Sequence, residues 1–139
     1  MKLLIVLLLL ALSGCVNNYV EIDNGSNKIK VFTEVADEPE EWTTGLMFRE
    51  SLNENEGMLF IFNDNKERIF WMKNTLIPLD IIFISDSLEI VNIAEAEPCK
   101  VDPCELYNSE MPAKYVLEVN QGFSRRNNIH AGDKLEIFN

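Results

Sequence analysis

Three polar side chains stand inside the most apolar stretch of this sequence, and they are the first candidates for chemistry. Lys73, Asn74 and Asp80 lie within a run from Phe70 to Ile84 that otherwise consists mostly of large apolar residues. Burying a lone ammonium or carboxylate is costly unless the charge is paired. If the segments before and after Pro78 fold against each other, Lys73 and Asp80 should lie close together and largely out of water.

Such a pair has more than one interpretation. An internal salt bridge would only specify the fold, and buried polar groups are more often structural than functional. A polar site on an apolar floor is instead the usual composition of a small-molecule pocket. In a third interpretation, Lys73 and Asp80 form the acid–base pair of an enzyme of unrecognised type.

Other side chains near this stretch are candidate ligand contacts. Trp71 and its apolar neighbours line either a groove or only a core. Arg49 follows Gly45, where a helix is predicted to end, so its guanidinium is placed to clamp a carboxylate or phosphate or to cap the last carbonyls of that helix. The candidate ligand-binding residues are Arg49, Trp71, Lys73, Asn74 and Asp80, and no residue is assigned as catalytic.

The common catalytic and cofactor motifs do not occur in the sequence. It contains one histidine, His130, and no phosphate-binding Gly-rich loop, His-Glu-x-x-His zinc motif or Gly-x-Ser-x-Gly elbow. We therefore expect no cofactor and no metal, and whether the chain is an enzyme stays open.

Two of the three cysteines, Cys99 and Cys104, are close neighbours in a loop bounded by prolines. In an oxidising compartment this spacing favours a disulfide, worth roughly 2 kcal/mol in the chain-entropy model. A redox centre would more typically be Cys-x-x-Cys, and a zinc site needs about four ligands.

The third cysteine ends Leu12-Ser13-Gly14-Cys15, the four-residue pattern of a lipobox. Lys2 and the apolar run after it have the layout of a signal peptide, and the run is shorter than the roughly 20 residues that span a bilayer. We expect cleavage before Cys15 and lipid on its sulfur; the alternatives are an ordinary secretory signal cut nearby or an uncleaved anchor. The predicted organisation is a lipoprotein-type signal peptide at 1–14, a lipid anchor and short tether at 15–18, and a single β-rich domain at 19–139.

The excess of acidic residues limits the kinds of partner that the protein is expected to bind. The chain has 23 acidic and 12 basic residues and a formal net charge of −11, so phosphate backbones and anionic headgroups repel it. Nucleic acid is therefore not an expected partner, and lipid on Cys15 would hold the protein at the membrane. The expected address is the extracytoplasmic face of the cell envelope, with a secreted or periplasmic protein as the alternative. A small molecule or an envelope protein is the open partner, and the oligomeric state is not indicated.

The elements that must position these residues are mostly strands. Alternating apolar positions around Asn24-Gly25 predict a β-hairpin, and Asp37 as N-cap with Pro39 in the first turn predicts a helix to about Gly45. Further strands are predicted at residues 58–62, 68–75, 78–84, 88–94, 114–119 and 134–138, with a turn at 63–66 and a short helix or turn over 121–127. Strands at this spacing predict a mainly β, β-rich α+β fold: a compact single-domain barrel-like rolled sheet with one or two short helices.

Six blocks of the sequence occur in a recognisable order. They are Gly45-Leu46-Met47-Phe48-Arg49, Gly57 to Phe62, Phe70 to Thr75, Ile77 to Ile84, Ala113 to Val119 with Gly122-Phe123, and Ile129 with Gly132-Asp133. In this order they resemble the motifs of the family called domain of unknown function 192. The resemblance covers roughly residues 19–139 and implies a small secreted or membrane-anchored protein with a compact β-rich, barrel-like domain. Many members also share paired cysteines like Cys99 and Cys104, whereas Thr43-Thr44 stands where the family usually has a basic residue.

The resemblance implies a fold and an address but no activity. The leading hypothesis is a lipid-anchored extracytoplasmic binding or accessory module that uses a pocket near residues 71–80. Its rivals are an enzyme that uses Lys73 and Asp80, and a purely structural envelope protein. A deep cavity beside the two charges would favour the first two hypotheses, and a solid core would favour the third.

Overall fold

A computed structural model describes residues 17–139 of the chain, and it shows a mostly β fold with two short helices. The strands are β1 Tyr19–Asp23, β2 Lys28–Ala36, β3 Glu56–Lys66, β4 Ile69–Trp71, β5 Leu79–Ile84, β6 Ile90–Ala96, β7 Leu106–Asn108, β8 Ala113–Asn120 and β9 Lys134–Phe138. The helices are α1 Pro39–Thr44 and α2 Phe123–Arg126. Within 17–139, no helix has the length and apolar character that crossing a membrane requires.

Seven strands form one curled sheet in the order β6-β5-β8-β3-β2-β1-β9, a half-barrel. Neighbours are antiparallel except β2 and β3, which are parallel. The edge strands approach each other at one end, where Glu89 bridges to Lys134 and the Ile90 N–H donates to the Asp133 carbonyl at 2.9 Å. The predicted rolled, barrel-like sheet is confirmed.

The two faces of the sheet carry separate apolar clusters because side chains alternate along each strand. The inner cluster lies inside the curl and includes Val31, Leu59, Ile82 and Leu117. The outer cluster lies on the opposite face of β3, β5 and β8 and includes Phe60, Phe83 and Val116. Two pieces of chain cover that outer face: the segment from α1 to Leu46, and a small sheet in which β4 pairs with β7.

Several element boundaries differ from the sequence prediction. The helix N-cap is Glu38 rather than Asp37, and the Glu41 carboxylate accepts the backbone N–H groups of both residues at 3.1 and 3.0 Å. The segment at 63–66 is not a turn, because β3 runs to Lys66 through an irregularity in its pairing with β8. The strand predicted at 68–75 ends at Trp71, and β7 was not predicted.

Candidate functional site

The outer face of the sheet is incompletely covered, and the gap forms an open groove of about 580 Å³. This volume falls within the range of small-molecule sites. One wall comes from α1 and the residues after it, and another from β4. The lining residues are Pro39, Trp42, Thr43, Thr44, Gly45, Leu46, Met47, Phe60, Phe62, Glu67, Arg68, Ile69, Phe70, Trp71, Thr75 and Glu118.

Glu118 is the one buried carboxylic acid in this groove, with 5% of its surface exposed. It lies on β8, directly opposite Met58 of β3 and Ile81 of β5, so its immediate neighbours in the sheet are apolar. Within residues 17–139 its carboxyl has no ion-pair or hydrogen-bond partner, and burial alone accounts for its altered acidity. Burial raises the pKa of Glu118 to about 8.

The raised pKa gives Glu118 two chemical states near neutral pH. In its protonated form the carboxyl both donates and accepts a hydrogen bond, and in its ionised form it is a buried anion without a counter-ion. A group whose pKa lies near neutrality is suited either to proton transfer or to pairing with a ligand charge.

Gly45 leaves space beside this carboxyl. A Cβ atom at position 45 would lie 3.9 Å from Glu118 Oε2 and 3.1 Å from Cζ of Phe60. Its φ of +47° is also a conformation that side-chain-bearing residues rarely adopt. The end of α1 at Gly45, where the helix was predicted to end, thus places a residue without a side chain against the acid and an aromatic ring.

Aromatic side chains form most of the groove wall. Phe60 and Phe70 meet edge to face at 5.3 Å between ring centroids, and Trp42 packs on Phe62 at 5.0 Å. The Trp42 indole N–H is fixed by the carbonyls of Ala36 and Ile61, at 3.0 and 3.2 Å. Trp71 is 47% exposed at the groove mouth. Both tryptophans of the chain therefore line the groove.

Arg68 lines the same groove, but its guanidinium is already engaged. Its Nε donates to the Ala113 carbonyl at 2.8 Å, its Nη2 pairs with Asp64, and its Cζ lies 4.0 Å from the centroid of the Phe62 ring. Hydrogen bonds from Arg68 and then Lys66 lower the pKa of Asp64 to about 2. The positive charge of Arg68 is therefore paired with Asp64, and no ion pair joins it to Glu118.

The predicted pairing of Lys73 with Asp80 is wrong. Asp80 is buried as expected, but its two carboxylate oxygens accept the backbone N–H groups of Gly122 and Ser124 at 3.0 and 2.9 Å. The Lys73 side chain is 42% exposed, and its ammonium lies 3.7 Å from Asp102 and 5.4 Å from the Trp71 ring. Asp80 thus anchors the start of α2, and Lys73 lies at the surface.

The remaining predicted residues are placed as follows. Arg49 makes a bidentate pair with Glu34 of β2, at 2.8 and 2.7 Å, which lowers the pKa of that carboxylate. Asn74 has a φ of +55°, and its carbonyl accepts the Phe48 N–H at 2.8 Å. Of the five predicted ligand-binding residues, Trp71 is the one that lines the groove.

Cys99 and Cys104 are bonded to each other, with an S–S distance of 2.04 Å, as their spacing predicted. An Asp102 oxygen lies within 4.8 Å of both sulfur atoms. Disulfide-bonded sulfurs offer no thiolate to bind a metal ion. The two cysteines therefore form a covalent cross-link within the loop between β6 and β7. Cys15 lies outside the described residues.

Sequence reasoning missed Glu118. A signal was present, because Glu118 interrupts the apolar strand Val116-Leu117-Glu118-Val119 just as Asp80 interrupts its own. What the sequence did not indicate is which of these two buried acids would be supplied with backbone donors and which would be left without them.

The fold and the groove define a class: a small curled-sheet domain with an aromatic groove on its outer face and one unpartnered carboxyl at the groove floor. The chain belongs to the uncharacterised family DUF192 (Uncharacterized ACR), whose pattern matches residues 20–137. The resemblance seen in the sequence is thereby confirmed. No curated protein is similar enough to the chain to count as a match.

Two solved structures are similar to this chain. One is a protein from Sinorhizobium meliloti 1021, described as a candidate transcription regulator, with 33% identity, a TM-score of 0.81, and 87% of this chain and 93% of that chain covered. The other is a protein of unknown function from Novosphingobium aromaticivorans DSM 12444, with 38% identity, a TM-score of 0.79, and coverages of 85% and 83%.

Proposed function

We propose that this protein is a lipid-anchored extracytoplasmic module that binds a small organic molecule in the groove above Glu118. The anchoring part rests on the signal peptide and lipobox pattern ending at Cys15. The binding part rests on one observation: a buried carboxyl that has no partner among residues 17–139 lines an open groove with aromatic walls. Burying a polar group without a hydrogen-bond partner lowers the stability of the fold. A few polar groups directed into a mostly apolar pocket are typical of ligand sites.

The rival hypotheses lose support. The enzyme hypothesis depended on an acid–base pair of Lys73 and Asp80, and these residues have other partners. The purely structural hypothesis was to be judged by a cavity beside Lys73 and Asp80, and neither residue lines the groove; what opposes this hypothesis is the open groove above Glu118. The Sinorhizobium relative is described as a candidate transcription regulator. For this chain, direct contact with nucleic acid is opposed by the net charge of −11.

The binding proposal is tested on the full-length protein in detergent micelles with a library of small organic molecules. Because both tryptophans line the groove, ligand entry should change the intrinsic tryptophan fluorescence in a saturable way. Glu118→Gln should weaken that response, while Glu136→Gln, an exposed strand position on β9, should leave it unchanged. Saturable binding that is equally strong in Glu118→Gln, or no saturable binding across the library, would contradict the proposal.

A further inference from the structure

The charged side chains that line the groove are mainly acidic, and this excess indicates the charge of the ligand. The groove is lined by two acidic side chains, Glu67 and Glu118, and by one basic side chain, Arg68. Because Arg68 is held by Asp64 and the Ala113 carbonyl, no cation among the lining residues is directed at Glu118. The ionised form of Glu118 therefore lacks a counter-ion that the described chain could supply.

The other groove residues offer an organic ligand apolar contacts and offer an anion no partner. Phe60 and Glu118 both border the space beside Gly45, and Phe62, Phe70 and Trp71 line the same groove. No free guanidinium or ammonium is present among the lining residues, and the Lys73 ammonium, 5.4 Å from the Trp71 ring centroid, is paired with Asp102. The net charge of −11 would also repel an anionic ligand.

We infer that the groove takes a small organic amine whose ammonium group pairs with Glu118 while its apolar body lies against Trp71 and Ile69. This inference rests on the proposed function and adds the ligand class to it. The Ile69 and Trp71 side chains are 62% and 47% exposed in the described chain, so an apolar body at the mouth would cover surface that is otherwise in water.

The pairing has a consequence for pH. Because burial raises the pKa of Glu118, an ammonium ligand must displace a proton when it binds at lower pH. The other titratable groups that line the groove are Glu67, which is exposed, and Arg68, which pairs with Asp64. On α1, Glu40 and Glu41 lie near Gly45 and Met58 and are exposed, and β3 and β5 place the apolar Met58 and Ile81 beside the acid. Because Glu118 is the buried acid of the groove, the coupled proton is assigned to it.

Three probes of matched shape test the inference on the full-length protein by tryptophan fluorescence: 2-phenylethylamine, 2-phenylethanol and 3-phenylpropionate. We expect the amine to bind at least about tenfold more tightly than the alcohol, and the carboxylate to bind most weakly. Glu118→Gln should remove the advantage of the amine, and Glu136→Gln should retain it. Equal or tighter binding of the alcohol or the carboxylate would overturn the amine inference and leave binding in the groove intact.

A measurement on the wild-type protein covers the case in which Glu118→Gln does not fold. From about pH 6 to about pH 8 the affinity for the amine should rise at least about tenfold, with proton release on binding, and the affinity for the alcohol should not rise. An amine affinity that is flat over this range would overturn the pairing with Glu118. If none of the three probes binds, the amine inference fails, and the library experiment separately decides whether the groove binds any ligand.

Discussion

At the scale of single residues, the protein holds two buried acids in opposite ways. The Asp80 carboxylate accepts two backbone N–H groups at the start of α2, whereas the Glu118 carboxyl accepts none from the described part of the chain and has a raised pKa. Hydrogen bonds to an ionised carboxylate are among the stronger contributions to stability, and a missing partner incurs the full desolvation cost. Asp80 is therefore expected to stabilise the fold, and Glu118 to weaken it.

Replacing Asp80 tests the first half of this contrast. Asp80→Asn turns one acceptor into an NH₂ group facing a backbone N–H, so we expect the free energy of unfolding to fall by about 2 to 3 kcal/mol. Lys73→Met, at a partly exposed side chain, should change it by less than about 0.5 kcal/mol. Denaturant unfolding of the singles and the double variant should give additive losses. Recovery of stability in the double variant would mean that the two residues are coupled after all.

Replacing Glu118 tests the second half through pH. A folded pKa of about 8, above the ordinary value of 4.5, means that the folded state binds the proton more tightly. The contribution of Glu118 to stability is therefore greatest below about pH 4.5 and is lost as the pH rises toward about 8. Relative to Glu118→Gln, the wild type should lose about 1.4 kcal/mol per pH unit across that window. Parallel stability curves for the two proteins would contradict a raised pKa.

At the scale of elements, the sequence predicted the strands that have a local residue pattern. It missed the features that depend on contacts between residues far apart in the chain. The β1–β2 hairpin follows from alternating apolar positions around the Asn24-Gly25 turn, and β9 alternates in the same way. By contrast, β5 and β8 are largely continuous apolar segments. The strand β7 has three residues and forms by pairing with β4, and nothing local in Leu106–Asn108 indicates that partner. The groove depends on the same small sheet, so Trp71 could be proposed from its type, whereas the role of Glu118 required the packing of α1 and β4 across β8.

The disulfide cross-links the loop that lies beside the β4–β7 sheet. It joins Cys99, whose N–H donates to the Met72 carbonyl at 3.3 Å, to Cys104, just before β7. Replacing both cysteines with Ser should lower the free energy of unfolding by about 2 kcal/mol. Val101→Ser, at an exposed position in the same loop, serves as the control and should have little effect. Labelling of two reactive thiols in the exported wild type under denaturing conditions would contradict the disulfide.

At the scale of the whole molecule, the sheet separates two apolar clusters. The inner cluster is enclosed, and the outer cluster is partly open to solvent at the groove. The inner cluster is enclosed by the curl of the sheet and by Phe123 of α2, which Asp80 anchors. The outer cluster is covered in part by the segment from α1 to Leu46 and by the β4–β7 sheet, and the groove lies between these two pieces of chain. Glu118 therefore lies on the face of the sheet whose cover is incomplete.

The membrane anchor is the last prediction, and it concerns the address of the whole molecule. Tyr19 begins β1 only four residues after Cys15, a length of chain that reaches at most about 14 Å. A lipid on Cys15 would therefore keep the domain close to the bilayer. Cys15→Ser should leave the leader uncleaved or release the protein from the membrane, whereas Ser13→Ala, which keeps a small residue before the cleavage site, should preserve anchoring. Membrane fractionation and intact mass measure both outcomes, and a wild-type protein that is unlipidated and cut elsewhere would refute the anchoring proposal while leaving the groove experiments unaffected.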